Sequence, residues 1–280
     1  MNNFFRRTLT GAWIVIFTLG GFWLHPLSFF LTGLIILTGS MLEYYKIIQG
    51  SGAKPRIIPG IMSGMTSYII AALAAAGYLP VRWLVLLIIP VPVIMITELF
   101  RKENKPFDSL AHTFFPFLYI VLPFVLLPFS AFLYEGLNPL INMPDLSFSP
   151  GLVIGFFILL WANDTGAYLT GITFGRHRLM ERISPKKSWE GFIGGVLISV
   201  VVAWVLSDWL GVVTRGHWLV IAAIVSFAGT CGDLVESMLK RSMGVKDSGS
   251  VLPGHGGFLD RFDSAIISFP LVFLFILLFG

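Results

Sequence analysis

Residues 151–174 read GLVIGFFILLWANDTGAYLTGITF. The run is apolar throughout rather than alternating, holds the acid Asp164 and contains no Lys or Arg. At roughly 1.5 Å of rise per residue, a helix of this length crosses a hydrocarbon core of about 30 Å. A helix also satisfies its backbone N–H and C=O groups internally, as lipid demands, whereas a barrel strand would show a two-residue period. The same reading extends outward to further segments at 9–24, 27–48, 59–78, 83–100, 111–134, 191–210, 217–239 and 261–279. The expected fold is therefore all-α: a polytopic integral membrane protein with about nine transmembrane helices. The first two spans are expected to form a tight hairpin through His25-Pro26.

Composition supports this class. Of 280 residues 56% are hydrophobic and 12% are charged, whereas a soluble domain carries about 25% charged residues. That shortage excludes a disordered chain, a basic nucleic-acid-binding domain and an ordinary cytosolic enzyme. The net charge of +4 is read as a topological signal instead. With the N-terminus inside, all but two of the 19 Lys and Arg, namely Arg82 and Arg215, fall on the inner side. This asymmetry predicts an N-in/C-out arrangement. Residues 1–21 resemble a secretion signal in having Arg6 and Arg7 before an apolar run. They lack a small-x-small cleavage pattern and are read as a retained first span. The single cysteine, Cys231, excludes an internal disulfide framework. No repeat or soluble domain interrupts residues 1–280, which are read as a single membrane domain. Residues 1–150 form its N-terminal helices, and 151–280 carry its polar chemistry, mostly in the inner loops 175–190 and 240–260.

Four clusters could do chemistry. In 161–168, WANDTGAY, Asp164 stands inside a span and needs a partner, either a metal or a cation on another helix. In 184–191, SPKKSWEG, Pro185 suits a first helical turn and Ser184 a cap. Lys186 and Lys187 there could bind an anion at the helix start or simply mark the headgroup level. In 232–241, GDLVESMLKR, the residues Asp233, Glu236, Ser237, Lys240 and Arg241 share a helical sector of roughly 140°. That face could hold a metal beneath phosphate oxygens, or only i,i+4 ion pairs such as Glu236 with Lys240. In 246–263, KDSGSVLPGHGGFLDRFD, Lys246, Asp247, Asp260, Arg261 and Asp263 accompany Gly254, His255, Gly256 and Gly257. The glycines permit positive φ or close approach of a ligand. His255 is a candidate ligand, phosphate contact or loop donor. Oxygen donors without a Cys/His set favour Mg²⁺ over zinc. No Walker-type loop or kinase motif set is present. The residues thus point to Mg²⁺-assisted phosphoryl or nucleotidyl transfer at the inner membrane surface.

The stretch 237–263, SMLKRSMGVKDSGSVLPGHGGFLDRFD, resembles the signature of the phosphatidate cytidylyltransferases, also called CDP-diacylglycerol synthases. Its pattern is Ser-x-apolar-Lys-Arg, Lys-Asp, Pro-x-His-Gly-Gly and Asp-Arg-x-Asp, without departure. WANDTGAYLTG, SPKKSWEGFIGG and GDLVES resemble family elements in the same order. The likeness covers 161–264, while the first 150 residues match only in length and hydrophobicity. It implies an inner-membrane, multi-pass enzyme of bacterial type whose site faces the cytoplasm and opens to membrane lipids. The implied substrates are CTP and phosphatidate, with no nucleic acid as partner; the sequence leaves a homodimer open. By motif position, Asp233 and Asp260 would hold Mg²⁺, with Asp164, Glu236, Asp247 and Asp263 as further ligands or supports. K⁺ as a second cation is implied in the same way. Lys186, Lys187, Lys240, Arg241, Lys246 and Arg261 would face the phosphates. Ser184, Asp247, His255, Gly256 and Gly257 complete the substrate-binding set.

Two other functions compete. A CTP-dependent lipid-alcohol kinase would also need metal and phosphate contacts, but would release CDP rather than pyrophosphate. A transporter would spread its acids through the bilayer and show inverted repeats, which are not visible.

Overall fold

The computed structural model describes residues 3–132, 148–245, 248–249 and 256–280, with side chains from Thr10 onward. The expected segments are helical over most of their described length. Eight described spans are long and apolar enough to cross a membrane, and Thr10–Leu24 is a shorter apolar helix. The chain is a multi-pass, all-α membrane protein. It packs as two units: Met1–Ser149 with Met243–Arg261, and Pro150–Ser242 with Phe262–Gly280.

In the first unit, α1 (Asn3–Leu24) and α2 (Pro26–Gly50) are separated by His25 alone. The tight turn follows from local capping. His25 Nδ1 accepts from Leu27 N at 3.1 Å, and Ser28 Oγ accepts from His25 N at 3.1 Å. Pro26, which needs no donor, opens α2. Helix α3 (Ile57–Ala75) lies against α2, with Tyr45 facing Gly60 and Tyr68 facing Gly33. Small residues at such positions let helices pack closely where lipid offers no hydrophobic drive.

The next span, Val81–Leu99, is not one α-helix. A 3₁₀ segment (Val81–Ile88) precedes α4 (Pro90–Leu99). Pro90 and Pro92 donate no N–H, so the α-ladder cannot run through them. The fifth span begins at Pro106, earlier than the apolar pattern indicated. Proline starts it, and Asp108 in its first turn suits the positive helix end. It runs as α5 (Pro106–Pro116), a π turn (Phe117–Val121) and α6 (Leu122–Phe132). Pro116 and Pro123 bracket the π turn, where missing donors shift the hydrogen-bond register.

In the second unit, α7 (Gly151–Phe174) packs along α8 (Trp189–Leu210). The seam is made of small residues: Gly194 meets Thr170, and Gly195 meets Asn163. Between these helices lies a feature that the helical reading missed. Strands β1 (Arg178–Met180) and β2 (Ser184–Ser188) form an antiparallel hairpin with an irregular register. Ser184 and Pro185 therefore do not open the seventh span. Their backbone is committed to the strand, and Ser188 is the cap, with its Oγ accepting from Gly191 N at 3.1 Å. Pro185 is tolerated because a two-stranded hairpin consists of edges.

Helix α9 (Arg215–Ser242) and α10 (Leu259–Phe279) complete the bundle. Phe156 and Phe157 on α7 meet Phe269 and Phe262 edge-on, at 5.0 and 6.0 Å between ring centroids. Trp218 of α9 is fully buried and fills the space left by Gly155. This apolar packing fixes where the polar ends of α9 and α10 meet.

Candidate catalytic site

Helices α9 and α10 come into close backbone contact at Gly232. A Cβ there would stand 2.6 Å from the carbonyl oxygen of Asp263 and 2.9 Å from Ser264 Cα. Only glycine permits this contact of two backbones, and it brings the next turns of α9 to Asp263. As a result Asp233, Glu236 and Asp263 each offer a carboxylate oxygen within 4.8 Å of the others. Glu236 is fully buried and Asp263 nearly so.

Three like charges this close need compensation. Lys187, from β2, places its Nζ 2.6 Å from Asp233 Oδ2 and 3.4 Å from the carbonyl of Thr230. Lys240 forms an ion pair with Glu236 one helical turn below. Ser237 Oγ donates to Asp233 Oδ1 at 3.2 Å. Asp263 Oδ1 accepts from Ser264 N at 2.6 Å. Asp164, inside α7, is a further acid near Asp263 and adds to what must be compensated. Both readings of the α9 face thus meet in one place. The i,i+4 ion pair exists, but it is buried and belongs to a carboxylate cluster rather than to a solvated helix end.

The paired lysines separate. Successive strand residues point to opposite faces, so Lys187 reaches Asp233 while Lys186 is exposed. Ser184 is half-buried at the start of the same strand; Arg241 and Arg261 are exposed. Glu190 ties the hairpin to α8, accepting from Arg176 N at 3.1 Å and His177 N at 3.2 Å. Its carboxylate also lies 2.6 Å from His177 Nδ1.

The remaining motif residues lie in the first unit. Asp260 Oδ2 accepts from Ser248 N at 3.1 Å, Ser248 Oγ at 2.8 Å and Gly257 N at 2.9 Å. Gly256 takes φ of +77°, the left-handed conformation anticipated for this loop. Lys246, Asp247 and His255 lie outside the described residues. In the second unit the carboxylates brought together are thus Asp233, Glu236 and Asp263, and in the first unit Asp260 accepts from its own loop.

Sequence reasoning passed over Glu43. This acid of α2 is buried and accepts from Phe258 N and Leu259 N, each at 2.9 Å, and from Ser248 Oγ at 3.1 Å. The signal was available: Glu43 is an acid within the apolar run 27–48, as Asp164 is in its own span. Glu98 was missed in the same way. It is buried at the end of α4 and receives Arg56 Nε at 2.7 Å.

Comparison with known proteins bears on this arrangement. Residues 5–279 match the model of the cytidylyltransferase family. The chain is similar to a Staphylococcus saprophyticus protein named phosphatidate cytidylyltransferase, at 48% identity over 117 residues. That alignment covers 41% of this chain and 45% of the relative. Proteins of the same name from Staphylococcus epidermidis and Staphylococcus aureus are each 48% identical over 118 residues, with the same shares covered. The aligned part thus spans less than half the length of these relatives.

Proposed function

This chain belongs to the cytidylyltransferase family, and on that premise we propose that it transfers CMP from CTP to phosphatidate, forming CDP-diacylglycerol and pyrophosphate. The observation that carries the proposal is the carboxylate cluster of Asp233, Glu236 and Asp263, two of its members buried, balanced by Lys187 and Lys240. Its donors are all oxygen atoms, which suits a hard divalent cation. Asp233, Glu236 and Asp263 would hold Mg²⁺, with Asp164 as a further acid beside them and Asp260 as the motif's additional candidate. Bound there, Mg²⁺, with K⁺ as a second cation, supplies positive charge to phosphate oxygens that would otherwise repel one another.

In the reaction, a phosphate oxygen of phosphatidate attacks the α-phosphorus of CTP. The bond from that phosphorus to the β-phosphate bridging oxygen breaks, and pyrophosphate leaves with the electron pair. The attacking monoester is already anionic near neutral pH, so the site needs no strong base. Its work is to gather anions and to stabilise charge on the leaving group. Lys187 and Lys240 start on carboxylates and exchange these for phosphate oxygens as substrates enter. Lys186, Arg241, Lys246 and Arg261 contact the triphosphate or the lipid phosphate. Ser184, Asp247, His255, Gly256 and Gly257 are further candidates for contacts with the substrates. The excess of Lys and Arg on the inner loops supports N-in/C-out insertion in the bacterial inner membrane, with the site open to the cytoplasm.

The test is to incubate the purified chain with CTP labelled at the α-phosphate, phosphatidate and Mg²⁺. The expected result is label in the lipid extract and equimolar pyrophosphate. Release of CDP, with no label in lipid, would overturn the reading in favour of a kinase.

A further inference from the structure

Glu43 is the least expected polar residue in the protein. It lies deep in α2, outside the motif region, yet three donors of the motif loop and the start of α10 converge on it. The glycines nearby answer to it. A Cβ at Gly249 would stand 2.7 Å from Glu43 Oε1, and a Cβ at Gly257 would collide with the carboxylate. The Gly-rich character that suggests a ligand cradle is thus used, at these two positions, to admit a side chain of the protein itself.

Ser248 links this anchor to the motif acid. Its Oγ lies 3.1 Å from Glu43 Oε2 and 2.8 Å from Asp260 Oδ2. A serine hydroxyl carries one hydrogen, so the two carboxylates share a single donor. Displacement of Glu43 therefore reaches Asp260 by two routes, through Ser248 and through the amides that begin α10.

We propose that Glu43 is a positioning residue for catalysis: its buried carboxylate holds the Ser248 hydroxyl and the Phe258 and Leu259 amides and thereby sets where Asp260 stands. This inference rests on the proposed cytidylyl transfer for its catalytic readout, but not for its structural one. Glutamine at position 43 is nearly isosteric, yet its amide nitrogen cannot accept. Glu43 takes Phe258 N on Oε1 and Leu259 N on Oε2, so E43Q must lose one of them.

The experiment compares E43Q, S248A and the double variant, each as the full chain in lipid nanodiscs. Hydrogen exchange of the peptide covering 256–262 is measured together with kcat and KM for CTP and phosphatidate. E43Q is expected to speed exchange in that peptide by about tenfold, with exchange in α3 and α7 unchanged. It should lower kcat by roughly 10- to 100-fold, the usual range for supports of a metal or catalytic group. Both KM values should change by less than kcat, because the proposal places the effect of Glu43 on Asp260 rather than on a substrate contact. S248A should lower kcat less, and the double variant should lose less than the sum of the two, since the Ser248 contact is one of the two routes by which Glu43 reaches Asp260. Unchanged exchange at 256–262, or a raised KM at constant kcat, would overturn the proposal. So would additive losses in the double variant. If E43Q does not fold, S248A decides by the same two readouts. A parent protein that exchanges slowly at 256–262 but transfers no CMP would overturn the reaction; the exchange comparison would still decide the anchor.

Discussion

Lys187 and Asp233 are joined by an ion pair of 2.6 Å that links strand β2 to helix α9. The pair connects a surface hairpin to the carboxylate cluster, and the neighbouring Lys186 takes no part in it. K187A should therefore lower cytidylyl transfer by about 100-fold or more, whereas K186A should cost about tenfold or less. Initial rates at matched expression, with lipid-extractable label as readout, would check this. Equal losses would mean that both lysines act only as a diffuse positive surface.

The cluster predicts metal affinity as well as rate. D263N and D233N should each weaken Mn²⁺ binding, followed by electron paramagnetic resonance, by roughly 10-fold or more, since each removes an anionic oxygen donor. D260N should abolish transfer while leaving membrane insertion intact. Turnover of D260N near that of the parent at saturating Mg²⁺ would remove Asp260 from the mechanism.

Gly232 has no room for a side chain. G232A should push α10 away from α9 and destabilise the protein by about 1–3 kcal/mol, the usual cost of overpacking. The expected readout is a lower thermal unfolding midpoint in detergent together with weaker Mn²⁺ binding, because the same contact brings Asp263 to Asp233.

The Arg56–Glu98 pair, with its carboxylate buried and its guanidinium partly exposed, should act in stability rather than turnover. E98Q would leave the Arg56 guanidinium without its anion and should cost about 1–3 kcal/mol. Denaturant unfolding of the solubilised chain would measure this. R56M/E98L, which removes both charges, should recover most of the loss. Failure of that recovery would show that the hydrogen bond from Arg56 to the Thr97 carbonyl, rather than the charge pair, holds the region together.

The nine apolar segments were legible because lipid leaves the backbone few choices. Their interruptions were less so: the 3₁₀ segment at 81–88 and the π turn at 117–121 depend on how prolines redistribute hydrogen bonds. The hairpin at 178–188 was missed because RLMERISPKKS has no alternating apolar face. Pro185 also has one local meaning at a helix start and another on an exposed strand. Asp233 and Glu236 could be assigned to one helix face by counting. That Asp263 would join them could not, since this depends on how α10 packs against α9 at Gly232. Glu43 and Glu98 lie far from the motifs along the chain, and no local pattern tells which loop such an acid will hold.

The single residue between α1 and α2 has a practical corollary. His25 and Ser28 cap the start of α2 so closely that it cannot slip by a residue without breaking both hydrogen bonds. This pair of helices should therefore enter the translocon as a preformed unit. A reporter fused just after Gly50 should adopt its final side of the bilayer before any later segment has been synthesised.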